Sequence, residues 1–179
     1  SCSFCSGSNM KLVIDFGEFA LAGAFLKPKD FLAEKKFPLN VCFCEDCYAV
    51  QVINIIAPEV LFQEYFYFSS SIKTLCDHFH SYAHEVTDRF LTSLNATVLE
   101  FGCNDGVLLR PLADLGIKNV IGVDPAANVV SSINDNRVKI INTYFTEKVA
   151  QEVVDKFGPI DLIMANNVYA HIPDIQGTT

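Results

Sequence analysis

The sequence has no tryptophan, only two methionines and few basic residues. Its 13 lysines and arginines stand against 21 aspartates and glutamates, which gives a formal net charge of −8. A protein that binds nucleic acid through phosphates carries the opposite excess, so no nucleic-acid partner is expected. Long apolar runs are also missing, because the most apolar stretch, residues 48–58, contains Gln51 and Asn54. It is far shorter than the roughly 20 residues that span a bilayer, so no membrane partner is expected either.

The composition nevertheless allows a folded core. Half of the 179 residues are hydrophobic, and 15 phenylalanines and 6 tyrosines supply the aromatic side chains. This length fits one domain with a small second one. The N-terminus shows neither the basic head nor the apolar segment of a secretory signal. The seven cysteines cannot all pair in disulfides, and we expect a reducing, cytoplasmic location.

Two pairs of cysteines have the spacing of metal ligands. Cys2 and Cys5 form one C-x2-C pair, and Cys44 and Cys47 form a second pair later in the chain. Each pair can present two thiolates from a tight turn, and four thiolates make a tetrahedral zinc site. Cys42 is an alternative to Cys44, although the C-x2-C spacing shared by both pairs favours Cys44. We therefore predict a structural zinc ion at Cys2, Cys5, Cys44 and Cys47.

The sequence divides into three regions. Residues 1–58 have a small predicted core, with short extended segments at 11–16 and 49–56, a short helix near 28–34 and the cysteines in loops. We interpret this region as a zinc-binding domain, because so small a core needs a metal to fold. Apolar residues recur at helical spacing over 59–94, interrupted by three serines. This pattern predicts a connector made of a short helix, a serine turn and a long amphipathic helix.

The third region, residues 95–179, alternates segments typical of strands and of helices. We predict strands at 97–101, 119–123, 138–142 and 160–166, with helices at 106–115, 126–133 and 147–156. Strands joined by helices of about 10 residues run parallel, because only such a crossover returns the chain to the same sheet edge. The predicted fold class is therefore α/β with a parallel sheet.

A turn with two glycines follows the first predicted strand of this region. Gly102 and Gly106 allow the backbone to approach a ligand closely, and the following helix would point its N–H groups outward. Asp124 ends the next strand, near the spacing at which a carboxylate reaches ribose hydroxyls. Asn104 stands where the dinucleotide fingerprint has its second glycine, which makes NAD the weaker prediction. A glycine turn with a purely structural role is the alternative.

The pattern E-x-G-x-x-x-G, followed by an acidic strand end, resembles the first motifs of class I S-adenosylmethionine-dependent methyltransferases. The resemblance implies a class I methyltransferase sheet, which is Rossmann-like, over residues 95–179. It also implies that S-adenosylmethionine is the cofactor and that Glu100 lies near its charged end. The candidate cofactor-binding residues are Glu100, Gly102, Asn104, Gly106, Asp124, Asn166 and Asn167. The two asparagines end the fourth predicted strand, where ligands of α/β proteins bind.

Further motifs extend the resemblance over the whole chain. They are the Cys2-x2-Cys5 pair, residues 16–26, 37–47 and 65–71, the glycine turn, and residues 166–174. In this order they resemble the zinc-containing sugar C-methyltransferases that make branched deoxysugars. The resemblance implies removal of the proton next to the keto group of a nucleotide-linked 3-ketosugar. The resulting enolate carbon then takes the sulfonium methyl group, which requires a base and an oxyanion stabiliser.

The same resemblance suggests residues on the substrate side. It implies a catalytic role for His171, and a substrate pocket lined by Tyr65, Tyr67 and Ser71. The family carries its base in a Tyr-His-Glu-His type motif of a C-terminal domain, and these residues contain no such motif. We therefore expect the chain to be the N-terminal part of a longer enzyme. By itself it would be catalytically incomplete, and its parallel sheet would be truncated.

Two other functions stay open from the sequence. One is an O- or N-methyltransferase of another small molecule, which would keep every cofactor residue. The other is a non-catalytic interaction module with a zinc ribbon and a methyltransferase-like fold; the intact Glu100 and Asp124 favour the enzyme. His80 and His84 have the i, i+4 spacing of a metal pair, but without a nearby third ligand we interpret them as a solvated helix face.

Overall fold

The computed structural model describes residues 1–62 and 65–179. The chain forms two compact units. One comprises Ser1–Phe62 with Ile172–Thr179, and the other comprises Gln63–His171. The functional boundaries inferred above, at 1–58, 59–94 and 95–179, stay a prediction. Positions 63 and 64, which fall in the predicted connector, lie outside the described residues.

The first unit contains a three-stranded antiparallel sheet. Its strands are β1 (Met10–Ala20), β2 (Lys36–Cys44) and β3 (Val50–Val52), in that order across the sheet. A 3-10 helix, Pro28–Ala33, lies between β1 and β2, and α1 (Pro58–Phe62) follows β3. The short helix predicted near 28–34 is therefore present as a 3-10 helix, while the extended segment predicted at 49–56 is reduced to a strand of three residues.

Strand β2 was not predicted, and placing all the cysteines in loops was wrong. Cys42 and Cys44 lie on β2, the central strand of the sheet. Pro38 argues against a strand in the sequence, because proline cannot donate a hydrogen bond to a neighbouring strand and is normally confined to edge strands and bulges. Here Pro38 pairs with Glu18 beside a register shift of β1, where the ladder is irregular.

The first unit buries few apolar side chains. Among its described residues these are Cys2, Cys42, Cys44 and Ile175, whereas Leu12, Ile14 and other large side chains of β1 are exposed. Three of the four buried residues are cysteines, so the order of this unit depends on the sulfur atoms more than on a hydrophobic core.

The second unit is the predicted α/β region. After α2 (Lys73–Phe90), the chain forms β4 (Thr97–Phe101), α3 (Leu109–Asp114), β5 (Asn119–Val123), α4 (Ala127–Val130), β6 (Val138–Ile141), α5 (Glu147–Phe157) and β7 (Leu162–Met164). The four strands pair in parallel in the order β6-β5-β4-β7, which confirms the predicted fold class. Strands β5 and β6 lie on one side of β4, and β7 lies on the other. Ligands of such sheets bind where the strand order reverses, beyond the carboxyl ends of the strands.

Several predicted elements are shorter in the structure. Helix α3 begins at Leu109 rather than at Gly106, because Asn104 and Gly106 have positive φ angles of 51° and 75°, which a right-handed helix does not allow. The first N–H groups of the helix therefore come three residues later than predicted. Helix α4 covers only 127–130, and β7 only 162–164.

The core of the second unit lies between α2, α3 and the sheet. Phe79, Ala83 and Val86 of α2 belong to the same buried cluster as Leu109 and Leu112 of α3.

None of the described helices has the length and apolar character needed to cross a membrane.

A close approach at Gly122 fixes the turn and α3 against β5. A Cβ atom at this position would lie 2.5 Å from Leu109 Cδ1 and 2.7 Å from Cys103 Sγ. We expect Gly122→Ala to lower the free energy of unfolding by about 1 to 3 kcal/mol through overpacking, as measured by urea titration. Lys139→Ala, at an exposed position of β6, is the control and should change it by less than about 0.5 kcal/mol. Equal stability of the two variants would contradict this packing.

Candidate metal centre and cofactor site

The four predicted cysteine ligands form one cluster. The Sγ atoms of Cys2, Cys5, Cys44 and Cys47 all lie within 4.8 Å of one another. Sγ of Cys2 lies 3.6 Å from Sγ of Cys47, and Sγ of Cys5 lies 3.7 Å from Sγ of Cys44. Sulfur atoms that surround zinc as a tetrahedron with bonds of about 2.3 Å are roughly 3.8 Å apart. The cluster therefore fits zinc, and the alternative ligand Cys42 is not part of it.

The two cysteine pairs lie in turns of the same construction. Ser6 N donates to Cys2 O at 2.9 Å, and Tyr48 N donates to Cys44 O at 2.8 Å. Ser6 and Tyr48, each directly after the second cysteine of its pair, have positive φ angles of 59° and 64°. Pairing of Met10 with Cys44 in the antiparallel sheet then brings the first turn next to the second.

Hydrogen bonds to sulfur favour the thiolate form of Cys2. Burial opposes ionisation of Cys2, but the backbone N–H groups of Cys5 and Phe4 and the side chain of Gln51 lower its pKa to about 6. Gln51 Nε2 lies 3.0 Å from Cys2 Sγ, and Gln51 Oε1 accepts from Ser3 N at 2.9 Å. Although Ala49 N–H favours its thiolate, burial and the neighbouring sulfurs raise the pKa of Cys47 to about 12. A cation within the cluster would favour the thiolate of Cys47.

Two buried carboxylates lie at the ends of neighbouring strands of the second unit. Glu100 pairs with Gly122 near the end of β4, and Asp124 directly follows β5. Asp124 Oδ2 accepts from Asn104 N, and Oδ1 accepts from Ala126 N, both at 2.9 Å. Burial raises the pKa of Asp124, while these two backbone donors partly offset the effect.

Glu100 has an unsatisfied buried oxygen. Its side chain is 3% exposed, and Oε1 accepts from Asn166 Nδ2 at 2.9 Å. Among the described residues, Oε2 is buried without a hydrogen-bond partner. Burial raises the pKa of Glu100 to about 7, with a smaller contribution from the charge of Asp124 and an opposing one from Asn166. A buried acceptor with no partner is rare and indicates a missing donor or cation.

The glycine turn has no room for a side chain at its first position. Gly102 has a φ angle of 66°, and a Cβ atom there would lie 2.0 Å from the side chain of Val168. Gly102 N donates to Val123 O at 2.7 Å, which joins the turn to the end of β5. The side chain of Val168 therefore packs directly on Gly102, and no larger residue fits at this position.

The other predicted site residues are placed as follows. Tyr65 and Tyr67 have ring centroids 6.3 Å apart, and the exposed Ser71 donates its hydroxyl to Phe68 O. His171 ends the 3-10 helix Tyr169–His171 and is exposed. Asn167 is exposed, with a positive φ angle of 54°. The described contacts bring Asn166, but neither Asn167 nor His171, into hydrogen bonding with the buried carboxylates.

Three residues with close polar contacts to these sites were missed by sequence reasoning. They are Gln51, whose amide contacts Cys2 Sγ, Asp105, which accepts from Ser70, and Asn128, which bonds the backbone of Tyr65. Of these three, Asp105 had a signal in the sequence, because it is a charged residue inside the glycine turn.

The cluster geometry predicts different effects for Cys42 and Cys44. We expect Cys44→Ser to leave well under one zinc per chain, because three thiolates remain, whereas Cys42→Ser retains about one. Elemental analysis of the reduced proteins measures the ratio, with Cys76→Ser on α2 as a control that keeps the metal. Loss of zinc from Cys42→Ser alone would show that the ligand set is wrong.

Comparison with known proteins identifies a zinc-binding region and a methyltransferase region in the chain. Residues 2–62 match the family model of a zinc binding domain, Methyltransf_13, and residues 76–178 match a methyltransferase domain, Methyltransf_23. C-methyltransferase NovU of Streptomyces niveus is 33% identical over 176 residues, which are 98% of this chain and 42% of that protein.

Two further relatives match a smaller part of the chain. Ubiquinone biosynthesis O-methyltransferases of Azorhizobium caulinodans and Bartonella quintana are 30% and 32% identical over 79 and 84 residues. These are 44% and 46% of this chain, and 31% and 33% of the two relatives. The chain therefore spans less than half the length of the curated relatives it matches. With a methyltransferase-domain match over more than half of its length and a zinc-binding domain before it, the chain belongs to the S-adenosylmethionine-dependent methyltransferases.

Proposed function

We propose that the protein transfers a methyl group from S-adenosylmethionine to a carbon atom of a nucleotide-linked ketosugar. The observation that carries the carbon acceptor is the match to a C-methyltransferase over 98% of the chain, through the zinc-binding and the methyltransferase regions alike. The resemblance of residues 16–26, 65–71 and 166–174 to sugar C-methyltransferases supports the sugar. The zinc ion then has a structural role in the first unit.

The cofactor fits the strand ends of the second unit. We assign the unpaired Oε2 of Glu100 to the cationic end of the cofactor, because that oxygen is buried and has no donor among the described residues. Asp124 is assigned to the ribose hydroxyls, since each of its oxygens accepts one backbone N–H and has a second lone pair. Gly102 and Gly106 provide the close backbone approach. Asn166 orients Glu100, and we assign Asn104 and Asn167 to the rim of the same site.

When bound, S-adenosylmethionine supplies an electrophilic methyl group on a sulfonium centre. A base must remove the proton next to the keto group, so that the C–H electron pair forms an enolate whose carbon takes the methyl group. We assign Tyr65, Tyr67 and Ser71 to the acceptor pocket and His171 to a catalytic position beside it. The base belongs, on this proposal, to a C-terminal domain of the same polypeptide, in a cytoplasmic enzyme.

O-methylation is the second candidate, and one observation favours it. The two O-methyltransferase relatives match the methyltransferase region, although over less than half of the chain. An O-methyltransferase function would use the same cofactor-binding residues and a different acceptor. The carbon acceptor is preferred because the C-methyltransferase match also covers the zinc-binding region.

The raised pKa of Glu100 predicts a pH dependence of cofactor binding. Since that pKa is about 7, the ionised fraction of Glu100 rises from about 10% at pH 6 to about 90% at pH 8. A cationic ligand group binds the ionised form, so affinity for S-adenosylhomocysteine should increase about tenfold over this range. Isothermal titration calorimetry measures both the affinity and the accompanying proton release.

Glu100→Gln is the matched variant for this measurement. It removes the titration, so its affinity should be weak and nearly independent of pH between 6 and 8. Asp155→Asn, on the exposed face of α5, should keep the wild-type pH profile. A wild-type affinity that does not change with pH would refute the assignment of Glu100.

The acceptor is tested on the polypeptide that includes the proposed C-terminal domain, with methyl-13C-labelled S-adenosylmethionine and a nucleotide-linked 3-ketosugar. We expect the labelled methyl group of the product to be bonded to carbon, as shown by its carbon chemical shift, which is much lower for a C-methyl than for an O-methyl group. Incubation in D2O without the cofactor should exchange the proton next to the keto group, because enolate formation precedes transfer. A methyl group on oxygen would establish the second candidate function, and binding of cofactor without any transfer would favour a non-catalytic module.

A further inference from the structure

Residues 65–71, which we call the aromatic segment, are joined to the cofactor loops by side chains rather than by a backbone ladder. Asn128, which is exposed on α4, makes a paired contact with Tyr65. Its Oδ1 accepts from Tyr65 N at 3.2 Å, and its Nδ2 donates to Tyr65 O at 2.7 Å. One asparagine amide thus replaces the two hydrogen bonds that a neighbouring strand would make.

A second asparagine makes the same kind of contact from the glycine turn. Asn104 Oδ1 accepts from Ser69 N, and Asn104 Nδ2 donates to Tyr67 O, both at 2.9 Å. The backbone N–H of Asn104 is bonded to Oδ2 of Asp124. A single residue therefore contacts the aromatic segment with its side chain and the candidate ribose-binding carboxylate with its backbone.

The third contact uses a buried carboxylate. Asp105 is 1% exposed, and its Oδ2 accepts from the hydroxyl of Ser70 and, at 3.1 Å, from Ser70 N. A buried carboxylate costs several kcal/mol unless hydrogen bonds stabilise it. Asp105 is not among the candidate cofactor-binding residues. Its carboxylate is instead hydrogen-bonded to Ser70 of the aromatic segment.

The phenol of Tyr65 is influenced electrostatically by the candidate cofactor site. Burial raises the pKa of Tyr65, and the charges of Tyr67 and Asp124 contribute in the same direction. The phenol of Tyr65 is therefore within electrostatic reach of Asp124. The segment lies against the cofactor loops through three separate side chains, over a stretch of only six residues from Tyr65 to Ser70.

We propose that Asp105, Asn104 and Asn128 are positioning residues that fix the aromatic segment at the cofactor site, so that cofactor binding and the order of the segment are coupled. This inference rests on the proposed function, since it takes the glycine turn and Asp124 as the cofactor site. Asn104 would thus position the aromatic segment in addition to lying at the rim of the cofactor site. Coupling is reciprocal, so a cofactor that orders the segment binds more tightly when the segment is already ordered.

Amide hydrogen exchange measured by NMR tests the proposal, with S-adenosylhomocysteine as the ligand. The amides of Tyr65, Ser69 and Ser70 donate to the three side chains and should be protected in the free protein. The ligand should slow their exchange further. We expect Asn128→Ala to speed exchange at Tyr65 about tenfold or more, because it removes both hydrogen bonds to that residue.

Variants at Ser70 and Asp105 test the buried contact. Asp105→Asn removes the charge directly, but a buried substitution can also impair folding. Ser70→Ala changes an exposed residue instead, and it should speed exchange at Ser69 and Ser70, whereas Ser70→Thr keeps the hydroxyl and should restore wild-type exchange. Asn134→Ala is the matched asparagine control, since its exposed side chain makes none of the hydrogen bonds found among the described residues.

The measurements separate this proposal from the proposed function. If the variants bind S-adenosylhomocysteine but lose its additional protection of the aromatic segment, while their thermal unfolding is unchanged, the coupling is established. If exchange in the segment is the same in all variants, or is unaffected by bound ligand in the wild type, the positioning role is refuted. If the wild type does not bind S-adenosylhomocysteine at all, the proposed function fails, and the coupling proposal fails with it.

Discussion

The burial of two carboxylates at adjacent strand ends is the constraint on which the second unit depends. Parallel pairing of β4 with β5 places Glu100 beside Gly122 and brings Asp124 to the same edge. A buried carboxylate without full hydrogen bonding costs several kcal/mol. The surrounding residues reduce this cost only in part, because Asp124 accepts two backbone N–H groups while one oxygen of Glu100 has no partner among the described residues. A cationic ligand at this edge would supply the missing interaction.

The same physical logic applies separately to the first unit. Four sulfur atoms lie within 4.8 Å of one another, and their ionised forms repel unless a cation lies between them. The described residues of this unit include few other buried apolar side chains, so we propose that metal binding and folding are coupled there. Each unit thus concentrates negative charge that the chain itself does not neutralise, one for a metal ion and one for a charged cofactor.

The sequence predicted those features that depend on local pattern. The C-x2-C spacing located the four cysteines that cluster, and alternating strand and helix patterns located β4, β5 and β6 to within a residue. Strand β2 was missed because Pro38 and Asn40 interrupt its apolar pattern, and α3 was predicted three residues too long at its start because two left-handed residues delay it. Local propensity does not encode either effect.

Contacts between distant residues could not be predicted in this way. Asp105 bonds a residue 35 positions earlier, Asn128 one 63 positions earlier, and Gln51 one 49 positions earlier. The partner atoms belong to the backbone, to a sulfur or to a serine hydroxyl, so the sequence shows no matching pattern for these side chains. Turn chemistry assigns asparagine and aspartate to loops in general, and only the fold shows which backbone groups they meet.

The central claim is that the strand ends around Glu100, the glycine turn and Asp124 bind S-adenosylmethionine. An NMR titration of the 15N-labelled protein with S-adenosylhomocysteine tests it most directly, because each backbone amide reports its own surroundings. The account predicts the largest shifts at Gly102, Asn104 and Gly106, with smaller shifts where the chain follows Asp124. Saturable binding with shifts confined to residues 1–62, or no shifts at all, would contradict it.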